Sequence, residues 1–296
     1  WKNSLFPLKL MISLIQSFFI WLRYRPDVLI GTGGFASGPM LFVGGIMGSK
    51  TFLQEQNSYP GITNKLLAKR ASGIAVAYPN MEHYFPKQKL LYTGNPVRKS
   101  LLNITSLREQ GLEHFKLDSS KKTLVVVGGS LGARAINDLI AGQVDLFTQL
   151  NLQVIWQCGK MYFEDYASFN SKSIQVHSFI QEMDYLYAAA DIIISRAGAS
   201  SISELSIVAK PLILIPSPNV AENHQHKNAT VLAERGAAIL LAESAAQETF
   251  ESTLKSLVAS TEQQLKMTEA LTQMAQPKAT ETIVQHIQKL ILSDAE

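Results

Sequence analysis

Short apolar runs rich in β-branched residues alternate with stretches of helical periodicity along most of the chain. Nine of these runs are predicted strands: residues 28–30, 51–53, 74–77, 123–127, 153–156, 174–176, 192–194, 212–215 and 238–240. Strands separated by helices are typical of parallel sheets with helices on both faces. After Leu241 the strand pattern stops and three helical segments follow, the last over residues 278–292, for which Pro277 is a suitable start.

Two of the predicted strands end in glycine-rich turns, GTGGFASGP at 31–39 and VVVGGSLGAR at 125–134. Each turn has the character of the start of a nucleotide-binding half, so the pattern predicts two doubly wound α/β domains. The length of 296 residues agrees, at about 150 residues per domain. Because Gly94, Asn95 and Pro96 interrupt regular structure between the halves, we place the boundary there, with domains over residues 1–97 and 98–277.

The most apolar stretch, residues 10–22, is shorter than the roughly 20 residues that span a bilayer and lacks a signal-peptide cleavage site. It lies within a helical stripe that we expect to pack on a sheet: Leu8, Met11, Ile12, Ile15, Phe18, Phe19 and Leu22. Further apolar residues lie off that stripe or at its edge: Trp1, Leu5, Phe6, Leu14, Ile20 and Trp21. With the basic residues near both ends, they support a second interpretation, a helix at the surface of an anionic membrane.

Composition narrows the function classes. A hydrophobic fraction of 46% excludes a disordered chain. The net charge of +3 is too small to indicate a nucleic-acid binder. The single cysteine, Cys158, excludes an internal disulfide, and no Cys/His cluster offers a zinc site, so a reducing compartment is expected. The chain begins at Trp1 instead of Met, as expected of a fragment.

The loop from Gly128 to Ala133 joins the strongest predicted strand to a helix. Its glycines let backbone N–H groups face an anion, so a phosphate is expected near Ser130. The loop is not a Walker P-loop and not a clean GxGxxG motif. The alternative is a tight turn without a ligand.

Three further polar clusters follow predicted strands. Residues 195–205 gather small hydroxyl side chains at a helix start, where Glu204 either accepts hydrogen bonds from a ribose diol or is simply favoured by the helix dipole. Residues 222–225 suit recognition of sugar hydroxyls, although Asn223 could merely cap a helix. Residues 54–57 are four consecutive polar side chains at a strand end. There is no Ser-His-Asp pattern, no HExxH and no DxD in these loops.

Taken together and in order, these motifs resemble the MurG family of glycosyltransferases (family 28). The motifs that carry the resemblance are GTGGFASGP (31–39), QEQN with PGITNK (54–65), GNPVR (94–98), VVVGGSLGAR with Asn137 (125–137), FIQEM (179–183), SRAGASSISE (195–204) and ENHQ with Asn228 and Ala229 (222–229). The resemblance implies a GT-B architecture: two Rossmann-like domains facing across a cleft, with the acceptor on the N-terminal half and a UDP-sugar on the other. It also implies that the helix at 278–296 returns to the N-terminal domain.

The family's activity would be inverting transfer of N-acetylglucosamine (GlcNAc) from UDP-GlcNAc to the 4-hydroxyl of a lipid-linked N-acetylmuramyl peptide, in peptidoglycan synthesis, cell shape and division. The resemblance implies these UDP-GlcNAc residues: Asn57, Arg98, Ser130, Ile180, Ala199, Ser200, Ser201, Ile202, Ser203, Glu204 and Gln225, with Gly129, Phe179, Arg196 and His224 as secondary members. Uracil would lie against the backbone of Ile180, the ribose on Glu204 and the phosphates at Ser130.

The implied partners are the donor, the undecaprenyl-pyrophosphoryl acceptor, the cytoplasmic face of the bacterial inner membrane and other cell-wall synthesis proteins, with no nucleic acid and no cofactor or metal. The family's first glycine-rich loop, with a histidine proposed as base, would precede Trp1, so the N-terminal domain is expected to be incomplete and the chain could lack activity. The family's common His-Glu-Gln-Asn is here Gln54-Glu55-Gln56-Asn57. Glu55 then becomes the nearest candidate base, or else a carboxylate that orients neighbouring N–H groups.

Three other functions fit parts of the pattern. One is a different GT-B enzyme that uses UDP-GlcNAc, such as a 2-epimerase or another glycosyltransferase. Another is a non-catalytic nucleotide-sugar-binding fragment. A dinucleotide oxidoreductase fits least, because no acidic residue follows either glycine turn at a ribose position.

Overall fold

A computed structural model describes residues 5–292, in which helices and parallel strands alternate. The strands are β1 (Val28–Gly31), β2 (Lys50–Glu55), β3 (Gly73–Val76), β4 (Leu90–Tyr92), β5 (Lys122–Val127), β6 (Leu152–Gln157), β7 (Ile174–His177), β8 (Ile192–Ser195), β9 (Leu212–Leu214) and β10 (Ile239–Leu240). The α-helices are α1 (Phe6–Tyr24), α2 (Gly34–Ile46), α3 (Ile62–Leu67), α4 (Arg108–His114), α5 (Arg134–Ala141), α6 (Val144–Gln149), α7 (Phe163–Tyr166), α8 (Met183–Ala189), α9 (Ala199–Val208), α10 (His224–Glu234), α11 (Ala246–Ala259), α12 (Thr261–Met274) and α13 (Ala279–Leu292). Short 3₁₀ helices cover Met81–His83, Lys87–Lys89, Lys99–Leu107, Lys160–Tyr162, Ala167–Phe169, Ala221–Asn223 and Glu243–Ala245.

The chain divides into two compact units. Unit 1 contains residues 1–96 and 276–296, and unit 2 contains residues 97–275. At the division, Gly94 has a φ of +77° and lies so close to Gln276 that a Cβ on this residue would overlap the Gln276 side chain. Position 94 therefore requires glycine.

Unit 2 contains a six-stranded parallel sheet in the order β10-β9-β8-β5-β6-β7. The central strands are buried on both faces, which is why β5 and β8 are nearly continuous runs of Val and Ile instead of alternating patterns. The chain moves outward from β5 to β7 and then returns to β8 on the other side of β5. Such a reversal leaves a crevice at the carboxyl ends of the two central strands, where ligands of doubly wound sheets bind.

Unit 1 contains a four-stranded parallel sheet in the order β1-β2-β3-β4, which follows chain order within residues 5–292. All nine predicted strands are present, and β4 is an additional strand. Strand β4 escapes prediction because it has only three residues, none of them buried. Helix α13 packs on this sheet: Ile283 and Ile287 form a buried cluster with Phe52 and Ala75.

The prediction that the apolar stripe of the first helix packs on a sheet is wrong. Its members are exposed, Phe19 by 63%, and the only buried residue of α1 is Ser17. The helix instead packs against α2. Trp21, on the same face as Ser17, donates a 2.7 Å hydrogen bond from Nε1 to Ser49 Oγ. The contacting face of α1 thus carries Ser13, Ser17 and Trp21, and the more apolar face is open to solvent.

The first helix is also longer than the apolar stretch of residues 10–22. Helix α1 has 19 residues and is long and apolar enough, by length and composition, to cross a membrane.

Candidate functional site

The glycine turn after β5 is shaped by close backbone contacts. Gly129 and Gly132 both have positive φ values, +94° and +78°, and the N–H of Gly132 donates to the carbonyl of Gly129 at 3.1 Å. A Cβ on Gly132 would overlap the carbonyl oxygen of Cys158. Because helix α5 begins only at Arg134, the turn is a six-residue loop with Ser130 exposed on it.

Asn137 fixes the helix behind this loop. Its side chain donates to the Cys158 carbonyl at 2.9 Å and accepts a 3.0 Å bond from Trp156 Nε1. All three residues are fully buried. The start of α5 is therefore tied to the end of β6, and the glycine loop is held between them.

Gln157, at the end of β6, connects two of the predicted ligand loops. Its Nε2 donates to the Gly129 carbonyl at 3.2 Å, and its Oε1 accepts a 2.8 Å bond from the N–H of Ile180. The side chain is only 2% exposed. Sequence reasoning missed this residue. The available signal was a glutamine directly after the apolar run Val154, Ile155 and Trp156.

Glu204 projects from α9 beside Arg98. Arg98 Nε lies 3.0 Å from Glu204 Oε1, and the side chains are 53% and 12% exposed respectively. Burial raises the pKa of Glu204, an effect that the positive charge of Arg98 opposes. The buried hydroxyl of Tyr187 is close to this pair. Its pKa is strongly raised by burial and then by the Glu204 charge, so the phenol stays protonated.

These groups line a pocket of about 370 Å³ at the carboxyl ends of β5, β6 and β8. This is the place where the strand order of unit 2 reverses. The lining residues are Arg98, Val127, Gly129, Ser130, Gln157, Phe179, Ile180, Gln181, Met183, Tyr187, Ser200, Ser201 and Glu204. Eight of the predicted site residues thus come together in one cavity.

The pocket edge at Phe179 and Ile180 has the features of a site for a flat ring. The Phe179 ring is exposed, with the Lys160 ammonium 5.6 Å from its centroid. The Ile180 N–H is already bonded to Gln157. A nucleobase at this edge can therefore bond to the Ile180 carbonyl. To bond to the Ile180 N–H, it must first displace the Gln157 side chain.

Helical geometry explains which residues of 199–204 reach the pocket. Ser200, Ser201 and Glu204 lie at positions i, i+1 and i+4 of α9 and share a face. Ile202 instead points into the core, where it is 3% exposed. Ser203 Oγ donates back to the Ala199 carbonyl at 3.0 Å. Of the six consecutive residues predicted to bind the donor, Ser200, Ser201 and Glu204 line the pocket.

Three further predicted ligands hold loops instead of lining this pocket. Arg196 Nη1 donates to the Ile215 carbonyl at 3.0 Å and forms an ion pair with Glu243. Gln225 Oε1 accepts from the N–H of Ser217 at 2.9 Å. His224 lies half-buried at the start of α10, with Nδ1 2.8 Å from the Ala221 carbonyl. These contacts connect the loops that follow β8, β9 and β10.

Glu55 of unit 1 is surrounded by donors. Its carboxylate is 3% exposed and accepts bonds from the N–H of Asn57 at 3.0 Å, the N–H of Gly61 at 3.1 Å and Asn64 Nδ2 at 2.8 Å. Such contacts fit a group that orients the loop after β2, and they do not fit a base that must reach a substrate hydroxyl. Nearby, Gln54 Nε2 donates to Asn95 Oδ1 at 2.6 Å.

Among residues 5–292, no cluster of three or more His, Cys, Asp or Glu side chains could hold a metal ion. Cys158 is a buried free thiol, and burial raises its pKa. It therefore has the surroundings of a structural cysteine.

Comparison with known proteins gives the family of the chain. Residues 1–76 match the glycosyltransferase family 28 N-terminal domain, and residues 123–283 match the family 28 C-terminal domain. A Flavobacterium psychrophilum protein named UDP-N-acetylglucosamine--N-acetylmuramyl-(pentapeptide) pyrophosphoryl-undecaprenol N-acetylglucosamine transferase is 54% identical over 99% of this chain and 80% of its own length. A Christiangramia forsetii protein of the same name is 48% identical over 98% of this chain and 79% of its own.

Solved structures with the same fold include a member of the MurG family. MurG of Acinetobacter baumannii superposes with a TM-score of 0.78 at 28% identity, covering 96% of this chain and 79% of that one. An S. aureus MnaA structure with UDP has a TM-score of 0.72 at 13% identity, covering 97% and 81%, a likeness of fold alone.

Two parallel-sheet α/β units, with a glycine-loop pocket at the switch point of the second, have the GT-B fold, and the family matches make the chain a glycosyltransferase of this class. More narrowly, the chain belongs to glycosyltransferase family 28.

Proposed function

We propose that this enzyme transfers GlcNAc from UDP-GlcNAc to the 4-hydroxyl of a lipid-linked N-acetylmuramyl peptide, with inversion at the anomeric carbon. The observation that carries the proposal is the unit 2 pocket, where the Arg98–Glu204 ion pair faces the loop of Gly129 and Ser130. The names of the 54% and 48% identical relatives support the choice of donor and acceptor.

Three parts of the pocket each bind a different part of the donor. The Glu204 carboxylate accepts hydrogen bonds from the ribose diol, a role that requires its ionised form. Ser130 and the backbone N–H groups of its loop meet the phosphates. The exposed Phe179 ring and the Ile180 backbone hold the uracil. Gln157 acts indirectly, by keeping the phosphate loop and the base loop at a fixed separation.

In the reaction, the acceptor 4-oxygen forms a bond to the anomeric carbon as the bond from that carbon to the UDP oxygen breaks. The hydroxyl proton passes to a base, and negative charge develops on the UDP phosphates. We propose that Arg98 and the loop N–H groups stabilise this charge, as preorganised electrostatics without a metal ion. The absence of a DxD motif in the loops after the strands supports that part of the proposal.

The acceptor lipid calls for a membrane-facing surface, which we assign to α1 on the cytoplasmic side of the inner membrane. Its exposed apolar face carries Lys9 near one end and Arg23 near the other, and the helix has no acidic residue. Phe6 also contacts the exposed Phe35 of α2, with ring centroids 6.1 Å apart. Because the opposite face of α1 packs on α2, the proposed mode is peripheral attachment along the helix.

A transfer assay tests the proposal. The chain is incubated with radiolabelled UDP-GlcNAc and lipid-linked muramyl peptide, with and without EDTA, and lipid-extractable label is measured. We expect label in the lipid fraction in both arms. Label lost in EDTA and restored by magnesium would contradict the metal-free step. Conversion of UDP-GlcNAc to an epimer without consumption of the acceptor would contradict the transfer itself.

A further inference from the structure

Unit 2 has a second cavity, of about 580 Å³, at the amino ends of its central strands. The pocket described above lies at the carboxyl ends of the same sheet. It is formed where β5 begins at Lys122 and where Asp191 and Pro211 precede β8 and β9. Helix α12 also lines it. Nothing in the proposed transfer reaction uses this cavity.

The charges lining the cavity do not balance. Three cationic side chains, Arg108, Lys122 and Lys210, face it, and Asp191 is the one carboxylate among its lining residues. Both oxygens of Asp191 are already engaged: Oδ1 with Arg108 Nη2 at 2.9 Å, and Oδ2 with the N–H of Thr123 at 2.7 Å. Positive charge therefore remains uncompensated within the cavity.

Lys210 contributes most clearly to this uncompensated positive charge. It lies between Ala209, whose φ is +51°, and Pro211, so its backbone position is fixed. The side chain is half-buried and makes no hydrogen bond or ion pair with any residue between 5 and 292. Burial lowers the pKa of Lys210, the positive charge of Arg108 lowers it further, and Asp191 opposes both effects. A lysine that is partly desolvated without a partner is costly unless an anion joins it.

The other polar groups of the cavity suit an anion with several oxygens. The hydroxyls of Thr105, Thr261 and Thr268 can donate hydrogen bonds into it. Lys122 Nζ is held by the Val258 carbonyl at 3.2 Å, which fixes the ammonium at the rim. The set resembles phosphate sites in its chemistry: several cations and hydroxyl donors with the carboxylate already neutralised.

We propose that this cavity binds a phosphate-class anion, held by Lys210, Arg108 and Lys122. The anion could be free, as inorganic phosphate or pyrophosphate, or it could be the phosphodiester of an anionic lipid headgroup. The site is separate from the donor pocket and does not depend on the proposed transfer activity.

Calorimetric titration of inorganic pyrophosphate into the chain tests the proposal. Saturating UDP is included so that the donor pocket is blocked. The variant is Lys210→Met, which keeps the length of the side chain and removes its charge. The control is Lys255→Met, which removes an exposed lysine of α11 paired with Glu251.

We expect one binding event in the wild type, weakened about tenfold or more in Lys210→Met because a charge-assisted hydrogen bond is lost, and unchanged in the control. Lys210→Met should melt no lower than the wild type, since it removes a partly buried charge without a partner. Absence of binding in the wild type, or equal binding in all three proteins, would overturn the proposal.

A vesicle arm distinguishes the two sources. Association with phosphatidylglycerol vesicles is compared with association with phosphatidylcholine vesicles for the same three proteins. Loss of the phosphatidylglycerol preference in Lys210→Met alone identifies a lipid headgroup. An unchanged preference, with pyrophosphate binding lost, identifies a free anion.

Discussion

At the scale of single residues, Glu204 combines low exposure, an ion pair and a raised pKa, whereas most helix-surface glutamates are solvated. Its position one turn into a helix that follows a strand could be read from the sequence. Its partner Arg98 lies more than a hundred residues away in the chain, so the pairing was not visible in any local pattern. The resemblance to a known family, and not spacing, brought the two residues into one site.

The raised pKa gives a pH prediction. Because burial makes the carboxylate harder to form, Glu204 takes up a proton at a higher pH than an ordinary glutamate, whose pKa is 4.5. UDP-GlcNAc affinity should therefore fall as pH falls through that raised pKa, since the ribose loses its acceptor. The measurement is the ratio of wild-type to Glu204→Gln affinity across pH, which cancels titration of the UDP phosphates. A ratio that does not change with pH would contradict this role.

Gln157 is the residue that sequence reasoning missed most clearly, because its partners come from two separate loops. Gln157→Leu removes both hydrogen bonds and leaves the Ile180 N–H and the Gly129 carbonyl without them. We expect a loss of about 1–3 kcal/mol in unfolding free energy, and donor affinity weakened by roughly tenfold or more. Denaturant unfolding and donor titration measure the two effects.

The matched control is Gln175→Leu, on the next strand of the sheet, whose Nε2 bonds the Phe115 carbonyl away from the pocket. It should lose stability and keep donor affinity. Equal loss of affinity in the two variants would assign Gln157 a purely structural role.

At the scale of elements, alternation of strands and helices predicted the architecture well, because parallel strands buried on both faces leave strong apolar runs. Strand β4 and the packed face of α1 were not predicted. The first is a short edge strand, and the second depends on Ser17 and Trp21, whose burial against α2 is a tertiary fact. Hydrophobicity alone chose the wrong face.

The glycine loop after β5 allows a test within one element. Gly132→Ala places a Cβ against the Cys158 carbonyl at a φ of +78°, so we expect a loss of about 1–3 kcal/mol in unfolding free energy. Gly142→Ala, at the end of α5, has ordinary helical φ and ordinary contacts, and it should be neutral or slightly stabilising. Similar unfolding midpoints for the two variants would contradict the geometry of the loop.

Helix α1 supplies the second prediction at this scale. Phe19→Asp places a charge on the exposed apolar face, and we expect clear loss of flotation with anionic liposomes. Met161→Asp changes an apolar side chain of unit 2 that is more exposed than Phe19, and this control should float as the wild type does. Unaltered flotation of Phe19→Asp would count against membrane attachment through α1.

At the scale of the whole molecule, both units consist of parallel strands that alternate with helices, yet their strand orders differ within residues 5–292. The reversal of strand order in unit 2 creates a crevice, and the donor residues gather in it. Such convergence could be predicted in outline, since polar loops at the carboxyl ends of parallel strands share one edge. Which side chains enter the pocket, and which hold loops as Arg196 and Gln225 do, required coordinates.

The most direct test of the account is calorimetric titration of UDP-GlcNAc into the chain, with UDP-glucose and NAD as comparisons. We predict selective binding of UDP-GlcNAc that Glu204→Ala abolishes and that Glu251→Ala, which changes an exposed glutamate of α11, leaves intact. Both variants should show wild-type circular dichroism. Binding of UDP-GlcNAc that survives Glu204→Ala unchanged, or no binding by the folded wild type, would contradict the assignment of the donor site to unit 2.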